Sequence, residues 1–120
     1  MTITSEDSVN YKVIQGDTFS LELTWTDEVT GLPINLTGYT FLAEVKDIKG
    51  GKILAATASI NDGIAVISAA NGILDVTFSP EKTRLFPYPK CSYQIQATDQ
   101  YGQNSTLIQG AFMVNAGVIN

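Results

Sequence analysis

The chain has 120 residues, 44% of them hydrophobic and 16% charged, with a net charge of −5. This length suits one domain around one core and is too short for two ordinary ones. The acidic balance, with Lys12, Lys46, Lys49, Lys52, Lys82, Arg84 and Lys90 scattered along the chain, gives no sequence signal of the basic face that phosphate neutralisation requires, so neither nucleic acid nor an anionic membrane is expected as a partner.

Residues 1 to 8 are polar and read as a flexible N-terminal segment. Val9 to Ile14 is a short strand, and Gly16-Asp17 a turn. Phe19-Ser-Leu-Glu-Leu-Thr-Trp-Thr26 then alternates without a slip. Phe19, Leu21, Leu23 and Trp25 fall on one face, and Ser20, Glu22, Thr24 and Thr26 on the other. Period two builds a half-buried strand, whereas a helix would scatter the same apolar residues around its axis. Asp27 to Pro33 reads as a hairpin loop, and Asn35-Leu-Thr-Gly38 as a second turn.

Tyr39 to Lys46 is the next strand, with Phe41, Ala43 and Val45 inward and Leu42 breaking the outward polar row. Gly50-Gly51 closes a hairpin to an Ala-rich strand at Lys52 to Ile60. Asn61-Asp-Gly63 is a tight-turn signal, followed by a short strand at Ile64 to Ser68. Asn71-Gly72 leads into Ile73 to Phe78, with Leu74, Val76 and Phe78 inward. Ser79-Pro80-Glu81 is a helix start: a capping hydroxyl, a proline in the first turn and an acid on the helix dipole. The helix is expected from Pro80 to Phe86, stopped by Pro87. Cys91 to Thr98 places Tyr93, Ile95 and Ala97 inward. Asp99-Gln-Tyr-Gly102 turns the chain into a last strand at Ser105 to Val114, with a bulge expected at Gly110.

About seven or eight short strands with one crossing helix predict an all-β, immunoglobulin-like antiparallel β-sandwich over residues 9–115, with residues 116–120 as a tail. Little in the chain resembles chemistry. It contains no histidine, which removes the commonest general base and metal ligand. A single cysteine, Cys91, rules out an intrachain disulfide and a thiolate zinc site, and reads as a small semi-buried apolar residue. The carboxylates fall on outward faces or in turns, so an enzyme is not expected, and neither is a metal or cofactor. The N-terminus has no signal-peptide pattern, and no apolar stretch approaches the ~20 residues that span a bilayer. A reducing cytoplasm is the expected place of synthesis and folding. Phe86-Pro87-Tyr88-Pro89 is the most unusual local sequence. Two prolines stiffen it, so it either displays its aromatics as a contact surface or plugs one end of the sandwich with them. Tyr101, at a turn, joins it as a candidate partner contact.

Three segments look familiar together: Gln15-Gly-Asp-Thr-Phe-Ser-Leu-Glu-Leu-Thr-Trp25; Gly31-Leu-Pro-Ile-Asn-Leu-Thr-Gly-Tyr39 with the extended run to Lys46; and Phe78-Ser-Pro-Glu-Lys-Thr83 followed by a Tyr-x-Ile-x-Ala strand, Asp99-Gln-Tyr-Gly102 and Leu107-Ile-Gln-Gly-Ala-Phe-Met-Val114. In this order they resemble small immunoglobulin-like domains encoded by tailed bacteriophages and prophages, and are similar to the N-terminal domain of phage baseplate upper proteins. The resemblance spans residues 9–115. It implies a noncatalytic virion part: a tail or baseplate adaptor, a fibre-anchoring domain or a capsid decoration. Such a part is assembled in the host cytoplasm and contacts other phage proteins or copies of itself. It supplies no binding residues to carry over. Two alternatives stay open: a carbohydrate- or receptor-binding module using Tyr39, Tyr88 and Tyr101, and a small phage-encoded inhibitor of a host protein.

Overall fold

The computed structural model describes residues 2–4, 7–47 and 54–116. Among them are the strands β1 (Thr2–Ile3), β2 (Asp7–Ser8), β3 (Tyr11–Ile14), β4 (Phe19–Trp25), β5 (Thr40–Asp47), β6 (Leu54–Ile60), β7 (Gly63–Ser68), β8 (Ile73–Phe78), β9 (Lys90–Thr98) and β10 (Asn104–Asn115), with one short helix, α1 (Pro80–Thr83), between β8 and β9. The alternating runs read from the sequence are these strands. The Gly50-Gly51 hairpin, Lys52, and residues 117–120 of the tail lie outside the described residues.

The strands follow one path, β1-β4-β8-β7-β6-β5-β9-β10-β2, with β3 also on β10. The path curls where β7 meets β6. β1-β4-β8-β7 therefore packs against β6-β5-β9-β10, as ring contacts from Phe19 and Phe78 to Phe112 record. The ladders that carry the core are antiparallel. Four further pairings are parallel: β1 on β4, β2 and β3 on β10, and β6 on β7. The result is an all-β, sandwich-like fold with a mixed sheet.

Thr2–Ile3 and Asp7–Ser8, within the stretch that the sequence reads as a flexible N-terminal segment, form strands β1 and β2. Ile3 is buried and pairs with Trp25, whose Nε1–H donates to the Thr4 carbonyl at 3.1 Å. A two-residue strand has no period to read, so composition alone misleads there. β1 caps the edge of one layer and β2 and β3 cap the other, covering backbone that would otherwise invite pairing.

The β6–β7 corner also departs from expectation. Asn61-Asp-Gly63 does not reverse the chain into a hairpin. Ser59 pairs with Gly63 and Ile60 with Ile64 in parallel, so the chain changes layer while keeping its direction. Gly63 has φ +103°, and a Cβ there would lie 2.5 Å from the Thr77 carbonyl. Lys82 on α1 clamps this corner, its Nζ donating to the Thr57 carbonyl at 2.7 Å and to Asp62 Oδ1 at 3.0 Å. Beside it, the buried Thr83 hydroxyl accepts from the Gly16 N–H at 3.0 Å and donates to the Asp17 carbonyl at 2.9 Å. The helix ends at Thr83, not Phe86, because the following turn carries Phe86 into the core.

Gly110 is not a bulge. It pairs in register with Tyr93, and the register shift falls between Thr106 and Ile108. Leu107 and Ile108 are both buried, so two adjacent side chains enter the core, which is what a bulge permits. Gly110 is glycine for another reason: the Val9 carbonyl occupies the space a Cβ would take. The Tyr93 hydroxyl donates to that same carbonyl at 2.5 Å.

Burial, reinforced by the Asp47 carboxylate, pushes the Cys91 thiol up to about 12. Burial first, and then neighbouring Tyr11, raises the Tyr93 phenol. An unfolded chain ionises both groups earlier, so it binds fewer protons than the folded one above pH ~9. Their contribution is complete below the thiol's ordinary value of 9.0 and is lost as pH rises through the folded value near 12. We predict a flat melting temperature from about pH 7 to 8.5 and a decline from about pH 9 upward. A melting temperature unchanged to about pH 11 would contradict the burial argument. Lys82→Met should cost about 1–3 kcal/mol in urea denaturation, since it strips the partner from the corner's carbonyl groups. A loss under about 0.5 kcal/mol would mean the corner holds without its clamp.

Candidate functional site

The Phe86–Pro89 segment is held from two sides. The Gln15 Nε2–H donates to the Phe86 carbonyl at 3.0 Å, and the Val114 N–H to the Pro89 carbonyl at 2.8 Å. The Tyr88–Pro89 peptide is cis. Phe86 is 1% exposed and stacks on Phe112 with ring centroids 5.3 Å apart. As a contact residue it is therefore corrected: its ring is a plug and no partner can reach it. Pro87 is half-buried. Tyr88 and Pro89 remain exposed, Tyr88 at 63%. The sequence reading missed Leu85, also 63% exposed, because it placed that residue within a helix. The signal for it was available in Phe86: once that ring turns inward, its predecessor turns out.

Tyr101 lies elsewhere. It follows the far end of β9, and the nine residues of that strand carry the chain roughly 30 Å away from Tyr88. The five predicted contacts therefore do not form one site. Two ends exist, a lower one at α1 and an upper one at loops 26–39 and 99–103.

The upper loops are tied by their own acids. Asp27 Oδ1 accepts from the N–H groups of Val29 and Thr30 at 2.8 and 3.0 Å. These bonds, that of Thr30 foremost, hold the Asp27 carboxyl below its ordinary range. The Leu32 carbonyl receives the Asp27 N–H at 2.9 Å, closing the loop. Asp99 Oδ1 does the same for Tyr101 and Gln103 at 2.8 and 2.9 Å. What these loops display is apolar: Val29 is 88% exposed and Tyr101 81%. Tyr101, Tyr39, Asp99 and Gln100 line a cleft of about 170 Å³.

A second concavity, about 420 Å³, crosses the outer face of β5, β9 and β10. Glu44 and Lys46 form one wall, Gln109 and Ser8 the other, with Ser92, Gln94 and Gly110 between. Small side chains leave this hollow, which no motif announces. Among the described residues, no group of three or more His, Cys, Asp or Glu is placed to hold a metal ion, and no helix is long and apolar enough to cross a membrane.

A scan against models of protein families finds no match, and neither does a sequence comparison with characterised proteins. Comparison with solved structures does find likenesses. The N-terminal domain of phage TP901-1 ORF48 is similar over 95% of this chain and 94% of its own, with a TM-score of 0.59 and 15% identity. A variant of the SrpA adhesin from Streptococcus sanguinis aligns with 95% of this chain and 56% of its own at a TM-score of 0.42 and 12% identity. Domains 3–5 of the extracellular part of Drosophila OTK align with 96% of this chain and 34% of theirs at 0.36 and 14%. At these identities the likeness to the phage domain is one of fold.

Proposed function

We propose that this chain is a noncatalytic structural domain of a tailed-phage particle, working through protein–protein contacts as a tail or baseplate adaptor, a fibre anchor or a capsid decoration. The observation that carries the reading is the end-to-end match of fold to the N-terminal domain of phage TP901-1 ORF48. The order of turn and strand motifs that resembles phage baseplate upper domains supports it independently. So does the surface, where the most exposed large apolar side chains, Val29, Tyr101, Leu32, Leu85 and Tyr88, lie at the two ends. Leu85 and Tyr88, on a loop pinned from both sides, are the contact residues at the lower end. A pinned loop loses little freedom on binding, which favours affinity.

A second reading is favoured by the upper cleft. Tyr39 and Tyr101 beside Asp99 and Gln100 offer an aromatic face and hydrogen-bonding groups to a sugar ring.

Mass spectrometry of purified particles should find this chain at the copy number of a structural protein. A Leu85→Asp/Tyr88→Ala variant should be incorporated at least about tenfold less while melting within a few degrees of the parent, as expected for exposed positions. Particles that lack the parent chain would sink the structural reading, and full incorporation of the variant would move the contact elsewhere. For the cleft, binding of host polysaccharide that Tyr101→Ala abolishes is the expected result if sugar recognition operates. A glycan array that stays blank dismisses it.

A further inference from the structure

Charge is divided along the molecule. No Lys or Arg occurs between residues 13 and 45 or after residue 90. The upper loops, 26–39, 69–72 and 99–103, therefore carry only acids: Asp27, Glu28 and Asp99. The lower outer face of the other layer is the reverse. Register sets Met113 on β10 between Lys90 on β9 and Lys12 on β3. Lys46 on β5 faces Ser92, two residues along from Lys90, on the same outward side. With strands about 4.8 Å apart, the three lysines border one patch, with exposed Met113 between Lys90 and Lys12 and exposed Ile14 one row lower beside Lys12. Glu44 shares this face one row higher, so the patch remains net basic.

From this division we infer that the partner of the basic, Met113-centred face is a second copy of the chain, which presents its 27–32 loop in a head-to-tail contact. Glu28 meets the lysines, and Val29 meets Met113 and Ile14. This arrangement pairs opposite charges. Two copies face to face would set lysine against lysine, and two copies end to end would set carboxylate against carboxylate. The loop arrives already ordered by the Asp27 bonds, so little freedom is lost on docking. Because the two surfaces differ, the contact is heterologous: it repeats into a ring if the rotation closes and into a filament if it does not. The attraction lies between exposed charges, so it is weak and screened by salt. This inference goes beyond the phage reading and does not rest on it.

The test is light scattering on the full chain from about 10 μM to about 1 mM, in about 20 mM and about 500 mM NaCl. At low salt the mean mass should climb at least about threefold above the 12.9 kDa monomer, and high salt should return it to the monomer. Glu28→Lys alone and Lys12→Glu/Lys90→Glu alone should each stay monomeric. Mixed, the intact patch of the first meets the intact loop of the second, and the reversed loop of the first meets the reversed patch of the second, so the mixture should assemble with the two variants in equal amounts. A parent chain that is monomeric at about 1 mM in low salt, a mass that salt does not alter, a plateau at a dimer, or a mixture that stays monomeric overturns the proposal. The salt series uses the unaltered chain, so it stands even if a variant misfolds. Absence of the chain from phage particles would overturn the structural reading and leave this one untouched.

Discussion

Phe112 is the ring on which the rest of the molecule depends. It stacks on Tyr93 at 4.3 Å and on Phe86 at 5.3 Å, and meets Phe19 and Phe78 edge-on at 5.1 and 6.3 Å. Those partners come from both layers and from the loop after α1. Aromatic pairs of this kind add about 0.5–1.5 kcal/mol each beyond the area they bury. The shape of the lower end follows from them. Phe86 must turn inward to reach Phe112, which turns Leu85 and Tyr88 outward, and Tyr93 brings the Val9 carbonyl so close to β10 that only glycine fits at position 110.

Much of this was legible in the residues. Phe19 to Trp25, Phe41 to Val45, Leu74 to Phe78 and Tyr93 to Ala97 alternate because each strand buries one face, and that pattern survives without any knowledge of the partner strands. Even Leu42, which breaks the alternation, points outward as its position demands. Pairing direction was not legible. Asn61-Asp-Gly63 marks a change of course, but only packing between layers decides that it is a corner and not a hairpin. The bulge was visible and misread. The adjacent apolar pair Leu107-Ile108 was its mark, while Gly110 answered a long-range neighbour about a hundred residues away in sequence.

The candidate contacts divide in the same way. Proline flanks and aromatics located the Phe86–Pro89 loop, yet no local rule says which ring is the plug and which is displayed. Tyr88 and Tyr101 look alike in sequence, both aromatic and both in turns. A single strand separates them by most of the length of a molecule whose longest axis is 44 Å. Distance along a strand is simple to count, but it becomes meaningful only once the strand is known to run straight between two ends. The segregation of charge has the same origin. The lysines look scattered in sequence, and the register of β3, β9 and β10 gathers them.

The parallel pairing of β3 with β10 gives the fold a mechanical character. β3 enters its ladder at the upper end and β10 leaves at the lower. Tension that pulls β3 from above and β10 from below runs along the ladder, and so shears its hydrogen bonds together. An antiparallel hairpin pulled at its open end would yield like a zip, one bond at a time. The sandwich thus offers its greatest resistance along the line between its two ends.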